Sequence, residues 1–287
     1  MRCAECSFVY ANLSSTLIEE ANFAFDQDCA AACEEYQTWI DETWFESIVK
    51  RVTQLVGPGR VLDVGCGNGR LLTRFMSLGW EAEGVDPSPW AAEFAEIYGY
   101  RLHAVTLERA RLPSESFDAV TCTSTLEHVA SPADHVREML RILRPGGVAY
   151  VAGMPNHGSL AVRLGVSAFL RNVPPEHVNY FTRDTLGRIM STPKLRKQVS
   201  WLSIRSYGIP ELHRAYLAIQ DASRTLLRKS LAVEESSARL AKRESAPDRI
   251  ASAARRLLAK PLVSACYHSG RPLGLGDKLE LIVKKKG

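Results

Sequence analysis

Val61-Leu62-Asp63-Val64-Gly65-Cys66-Gly67-Asn68-Gly69-Arg70 is the stretch from which the fold is read. A short apolar run over residues 60–64 enters three glycines at alternate positions, and a helical pattern over residues 70–78 follows. An apolar run of that length, closed by a glycine-rich turn, reads as a buried strand. Missing side chains let a ligand approach the backbone, and the start of the next helix offers unpaired N–H groups. A carboxylate, phosphate or ribose can lie against such a turn. Seventeen residues after Gly69, at the end of a second strand over residues 82–85, stands Asp86. A carboxylate there is placed to accept both ribose hydroxyl hydrogens of an adenosine ligand. The spacing is G-x-G-x-G, not G-x-G-x-x-G, which weighs against a nicotinamide or flavin ligand.

The pattern outward from this turn alternates strand and helix. A helix over residues 91–98 precedes strands at 102–105 and 117–121, and a helix at 133–143 ends in Pro145-Gly146-Gly147 before a strand at 148–151. Upstream, Ile40, Trp44, Ile48 and Val52 recur at helical spacing within residues 36–55, and Gly57-Pro58-Gly59 stops that helix. This alternation predicts a doubly wound α/β domain, a largely parallel sheet covered on both faces. After Pro155 the pattern loosens through Thr182, then predicts a helix at 185–190 and a strand at 198–205. Helical patterns at 211–231 and 248–262 and a last strand at 278–283 complete the chain. The organisation expected is an N-terminal extension over residues 1–35 and one domain over 36–287, with a basic helical insert at about 211–262.

Composition excludes several classes. Hydrophobic residues make up 46% and charged residues 24% of 287, which is globular composition and not that of a disordered chain. No stretch approaches the roughly 18 apolar residues of a membrane span. The first residues lack the basic start and apolar run of a secretory signal, so a cytoplasmic protein is expected. Seven scattered cysteines suit free thiols, with Cys66 and Cys122 in apolar sequence as core residues. The net charge of +4 is concentrated, since residues 211–260 hold 11 Lys and Arg against 6 Asp and Glu. No block of basic and aromatic residues forms a nucleic-acid footprint. The basic segment suits an anionic acceptor or peripheral contact with an anionic membrane. In the latter case anionic vesicles retain the protein at low salt, and a protein that stays free in that assay contradicts it.

The run from Val61 to Arg70, with Gly84-Val85-Asp86-Pro87-Ser88, resembles the first two motifs of class I S-adenosylmethionine-dependent methyltransferases. Leu112-Pro113, Ser116-Phe117-Asp118-Ala119-Val120, Leu126-Glu127-His128-Val129 and Leu143-Arg144-Pro145-Gly146-Gly147 continue the family order, and the resemblance covers about residues 44–208. It implies a Rossmann-like seven-stranded sheet with an antiparallel last strand, and S-adenosylmethionine as the cofactor. Gly65, Gly67 and Gly69 then pass beneath its methionine and ribose portions, with Asp63 and Cys66 in the same motif. By the same resemblance Asp86 holds the ribose hydroxyls, Pro87 lies beside the adenine, Leu107 lies near the adenine edge, and Thr123 faces the methionine part.

Leu126-Glu127-His128-Val129 and Pro174-Pro175-Glu176-His177-Val178-Asn179-Tyr180-Phe181 look like the subgroup of ubiquinone-biosynthesis O-methyltransferases and related small-molecule enzymes. Some of these add an acidic residue three positions before the Glu-His pair to complete a metal site. Ser124 stands there, so no catalytic metal is expected. An oxygen or nitrogen acceptor can need a base, and histidine suits that near neutral pH. The candidates are His128 and His177, with His157 behind them. Residues 2–10, with Cys3 and Cys6, resemble one knuckle of a small zinc ribbon; a structural zinc needs four ligands, so a half-ribbon remnant is expected.

The function expected is methyl transfer to a small-molecule acceptor, with an oxygen acceptor favoured. A macromolecular substrate predicts a motif such as Asn-Pro-Pro-Tyr after the fourth strand, where Thr123-Ser124-Thr125-Leu126 stands. A binding protein without turnover is the remaining alternative.

Overall fold

In the computed structural model, residues 1–4, 7–21, 40–163, 174–175, 177–207 and 276–287 are described. The elements in chain order are β1 (Val9–Tyr10), α1 (Ile40–Val56), β2 (Arg60–Val64), α2 (Arg70–Ser77), β3 (Glu81–Val85), α3 (Pro89–Tyr98) and β4 (Arg101–His103). There follow β5 (Phe117–Thr123), α4 (Pro132–Ile142), β6 (Leu143–Pro155), α5 (Leu160–Arg163), β7 (Asn179–Tyr180), α6 (Arg183–Met190), α7 (Pro193–Arg196), β8 (Val199–Tyr207) and β9 (Lys278–Lys285). The expected helices at 211–231 and 248–262, and Cys6, Cys29, Cys33 and Cys266, lie outside the described residues. Among the described residues, no helix is long and apolar enough to cross a membrane.

Seven strands form one sheet in the order β4-β3-β2-β5-β6-β9-β8. From β4 to β6 all neighbours are parallel, and β9 runs antiparallel between β6 and β8. This is the doubly wound, Rossmann-like sheet with an antiparallel last strand that the sequence predicts. Two apolar layers cover it. One is built on Leu62, Val64, Val120, Met139, Leu140 and Leu186, and the other on Ile48, Val52, Val61, Leu72, Phe75 and Ala119. Neighbouring residues of β2 thus point into opposite layers, Val61 into one and Leu62 and Val64 into the other, which is why both faces of the strand carry apolar side chains. Each fully buried Val or Leu contributes roughly 1.5–3 kcal/mol.

The strand limits differ from the sequence reading in instructive places. β6 begins at Leu143, ahead of Pro145-Gly146-Gly147, because Leu143 already pairs with Phe117 across an irregular register. β4 stops at His103, two residues short of the expected end. α6 starts two residues early, where Thr182 and Thr185 form a reciprocal cap. A second, two-stranded sheet pairs Val9 with Tyr180 and Tyr10 with Asn179, joining the N-terminal segment to the segment that follows His177.

Candidate active site

The chain leaves β2 toward β3 and β4 on one side, and later builds β5 and β6 on the other. A crevice therefore opens at the carboxyl ends of β2 and β5, the usual ligand position in such sheets. Gly65, Asp86 and Ser124 each follow the end of a strand along that edge.

The three glycines serve more than ligand approach. Gly65, Gly67 and Gly69 have φ of 71°, 48° and 67°, a left-handed backbone that favours glycine. A Cβ on Gly65 would lie 2.1 Å from Thr125 Oγ1, and one on Gly69 would lie 2.2 Å from the Tyr100 ring. These two positions are emptied by the protein's own side chains. Gly67 faces the Trp90 ring instead, at 3.2 Å from the Cβ position. The loop is tied to β3 through the Gly65 N–H, which donates to the Val85 carbonyl at 2.8 Å.

Asp86 is buried at the end of β3 and holds the loop as well as facing the crevice. Its Oδ2 accepts from the Gly67 N–H at 2.8 Å, and its Oδ1 accepts from the N–H and hydroxyl of Ser88. Asp63 lies inside β2 and is fully buried, with Thr121 Oγ1 on the adjacent strand donating to its Oδ1 at 2.7 Å. Burial raises the Asp63 carboxyl to about 7, against the Thr121 hydrogen bond and with a further upward push from Asp86.

A cavity of about 450 Å³ occupies the crevice. Of the residues expected to hold a cofactor, Gly65, Gly67, Asp86, Pro87 and Leu107 are in its wall. Asp63, Cys66, Gly69 and Thr123 are not. Cys66 is buried in the core with its sulfur against Gly84, which leaves its backbone, not its thiol, toward the loop. The stretch Thr106-Leu107-Glu108, expected near the adenine edge, is in the wall, whereas sequence reasoning missed Trp90, Thr125 and His135, which are there as well. His135 Nδ1 meets Glu108 Oε1 at 2.8 Å, a hydrogen bond that holds the Glu108 carboxyl below its usual range. Trp90 Nε1 and His135 Nε2 are buried and have no hydrogen-bond partner among the described residues. Buried polar atoms of this kind are usually paired. An adenosine ligand, with ring nitrogens and ribose oxygens, fits a cavity that offers a carboxylate and such atoms.

Trp90 gives a direct readout. Addition of S-adenosylhomocysteine is expected to change the intrinsic fluorescence, and Trp90→Phe to remove most of that change while the protein stays folded. An unaltered signal change in the variant contradicts the placement.

The crevice continues past Ser124, whose φ of 50° marks a strained turn after β5. The turn 126–129 is held from the far segment: the Glu127 carbonyl accepts from the Val178 and Asn179 N–H groups, each at 3.0 Å. The Asn179 side-chain amide donates to the Leu126 and Val129 carbonyls at 3.2 and 2.6 Å. This brings both expected catalytic histidines together, with His128 and His177 ring centroids 4.7 Å apart and nearly perpendicular. His128 is in the cavity wall and His177 stands behind it. Burial, with His128, Lys278 and His157 around it, pushes the His177 pKa down to about 3. His157 is one shell further out, its ring 4.6 Å from that of Tyr180.

One ligand atom from each of Glu127, His128 and His177 lies within 4.8 Å of the other two. The expectation of no metal rested on Ser124 alone. The third member of this cluster comes from a segment fifty residues away, which no local motif reveals. Phe181 is fully buried and packs on Phe8, so the segment around it is interior wall, with β1 laid against it. At the N-terminus, Cys3 lies in a tight turn in which the Ser7 N–H donates to the Cys3 carbonyl at 2.9 Å.

A family model described as a methyltransferase domain matches residues 36–192. The ubiquinone biosynthesis O-methyltransferase of Xanthomonas oryzae pv. oryzae is 36% identical over 126 residues, covering 40% of this chain and 52% of that protein. Its counterpart from Alkalilimnicola ehrlichii is 38% identical over 95 residues, 31% of this chain and 38% of that protein. The chain thus spans about half, or less, of the length of these curated relatives. Among solved structures, a Thermotoga maritima S-adenosylmethionine-dependent methyltransferase, described as a possible histamine N-methyltransferase, has a TM-score of 0.55 at 18% identity. The match covers 91% of this chain and 98% of that one. Phosphoethanolamine N-methyltransferase 2 of Haemonchus contortus, solved with S-adenosylmethionine, also has a TM-score of 0.55, at 16% identity over 85% of this chain and 52% of that one. At such identities the likeness concerns the fold.

Proposed function

The chain belongs to the methyltransferase-domain family, and from that premise we propose that it transfers a methyl group from S-adenosylmethionine to an oxygen of a small-molecule acceptor. The observation that carries this reading is the single cavity joining Gly65, Gly67 and Asp86 at one end to Ser124 and His128 at the other. The curated relatives named above favour an oxygen acceptor. The cofactor, when bound, supplies a methyl on a sulfonium: an oxygen–carbon bond forms, the carbon–sulfur bond breaks with its electron pair kept by sulfur, and the acceptor's hydroxyl proton is released.

The protein's part is alignment, exclusion of water and management of that proton. Alignment is worth up to roughly 7–11 kcal/mol in well-oriented systems. The Asp86 carboxylate holds the ribose hydroxyls, and the apolar wall of Val64, Val85 and Leu107 keeps the crevice dry. His128, in the wall where the acceptor enters, meets the acceptor hydroxyl. The test is transfer of isotopically labelled methyl to a panel of phenols, sugars and anionic lipids. Labelling of phenols supports the reading, whereas labelling of added protein or nucleic acid alone contradicts it.

Asp63 makes cofactor binding pH-dependent. Its carboxyl sits near 7 in the free protein, and a cationic ligand beside the Asp63–Asp86 pair lowers it, so binding releases a proton. Affinity for S-adenosylmethionine is expected to rise as pH approaches 7 from below, by up to about tenfold per unit, and to level off above. The free protein shows the opposite linkage. A pKa raised by folding stabilises the fold in acid, and that contribution fades as pH rises through about 7. Calorimetry in two buffers of different ionisation enthalpy measures the released proton. Equal heats in both, or a slope that survives Asp63→Asn, contradict this role.

A further inference from the structure

His135 has a hydrogen-bonding atom that the fold leaves unused. The residue is only 3% exposed, and its Nε2 has no partner among the described residues. The other ring nitrogen is committed, with Nδ1 lying 2.8 Å from Glu108 Oε1. That hydrogen bond keeps the Glu108 carboxyl below its usual range, hence ionised. An ionised carboxylate only accepts, so Nδ1 carries the proton of the neutral ring and Nε2 presents a lone pair. A pair that merely tied the loop after β4 to α4 would need Nδ1 alone. Burying Nε2 bare is costly, and such an acceptor requires an N–H or O–H from elsewhere. Both residues are in the cavity wall, as are their chain neighbours Leu107 and Asp134.

We propose that His135 Nε2 accepts a hydrogen bond from the exocyclic amine of the cofactor's adenine, and that Glu108 is the positioning residue that fixes the ring tautomer for it. The assignment rests on the cofactor reading of the cavity. S-adenosylmethionine carries its N–H and O–H donors on the ribose hydroxyls, the ammonium and the adenine amine. The ribose hydroxyls have Asp86, at the end of β3, and the ammonium belongs to the methionine portion at the glycine loop after β2. Glu108 follows β4, which lies beyond β3 at the edge of the sheet, and its hydrogen bond places His135 at that end. The adenine amine is the donor left for Nε2. The pair therefore distinguishes an aminopurine, which donates there, from a purine that has hydrogen or a carbonyl oxygen in place of the amine.

The experiment is calorimetric titration of the full-length protein with S-adenosylhomocysteine and with its purine riboside analogue, which carries hydrogen in place of the amine. The wild type is expected to prefer S-adenosylhomocysteine by about tenfold, the worth of one hydrogen bond to an acceptor otherwise left unpaired. His135→Phe keeps the bulk of the ring and removes the lone pair, so most of that preference is expected to be lost. Glu108→Ala frees the tautomer and is expected to lower the preference. Glu108→Gln is expected to keep it, because the amide oxygen still accepts from the Nδ1–H.

Equal affinity of the wild type for the two ligands overturns the proposal. So does a preference that persists in folded His135→Phe, the result of a purely structural pair, whose loss moves both affinities together. If His135→Phe does not fold, the wild-type preference and its response to Glu108→Ala decide. Nitrogen NMR of the imidazole gives a reading that does not depend on affinity. An Nε2 without hydrogen, whose signal shifts with S-adenosylhomocysteine and not with the analogue, supports the pairing, and a doubly protonated ring in the complex contradicts it. A folded wild type that takes up neither ligand removes the cofactor reading and the proposal with it. One that takes up both alike removes the role of His135 and leaves the cofactor reading standing.

Discussion

Asp86→Ala is expected to weaken S-adenosylmethionine binding on the order of a hundredfold. Two hydrogen bonds to a charged carboxylate are lost, at about 1.5 kcal/mol each, and every 1.4 kcal/mol is about tenfold in affinity. The estimate is conservative, because Asp86 also anchors the glycine loop through the Gly67 N–H and the following turn through Ser88. Calorimetric titration of wild type and variant measures the ratio. Ser88→Ala separates the two roles: it removes one hydroxyl contact to Asp86 and leaves the carboxylate in place, so its cost is expected to be below tenfold. Equal affinity in Asp86→Ala and wild type places the ribose elsewhere.

Gly65→Ala is expected to destabilise the fold by about 2–5 kcal/mol. A left-handed backbone costs a residue with a Cβ about 1–2 kcal/mol. The new methyl would also meet Thr125 Oγ1 at 2.1 Å and Thr125 Cγ2 at 2.8 Å. Overpacking of that kind adds about 1–3 kcal/mol. Gly79 provides the internal control, with φ of 80° and open space where its Cβ would be. Gly79→Ala therefore carries the backbone cost alone, about 1–2 kcal/mol. Equilibrium unfolding in denaturant gives both values. Adding Thr125→Ala to Gly65→Ala is expected to restore part of the loss, because it removes the two nearest atoms. Equal costs at Gly65 and Gly79 contradict the packing explanation.

The features legible in the sequence are those set by neighbours along the chain. The apolar run of β2, the glycines after it and Asp86 at the end of β3 all follow from local spacing, and together they locate one end of the crevice. The role of Gly65 and Gly69 was only half legible. A positive φ is readable from a glycine in a tight turn, whereas the Thr125 and Tyr100 side chains that exclude a Cβ arrive from sixty and thirty-one residues away. Trp90 and His135 were missed for a related reason. On their helices they carry no spacing signal, and only the assembled fold turns them toward one cavity. The start of β6 was misplaced because Pro145-Gly146-Gly147 punctuates the sequence, while the strand pairing begins before it. At the acceptor end, Glu127 and His128 were legible as a motif and His177 as a candidate. Their meeting depends on Val178 and Asn179 binding the Glu127 carbonyl, a tertiary contact that sequence alone does not show.

The central claim is that the crevice at the ends of β2, β3 and β5 binds S-adenosylmethionine. The most direct measurement is calorimetric titration of the purified wild-type protein with S-adenosylmethionine and S-adenosylhomocysteine. One site with micromolar affinity for both is the predicted result, with binding of the cofactor accompanied by proton release below neutral pH. A folded protein that takes up neither ligand contradicts the account.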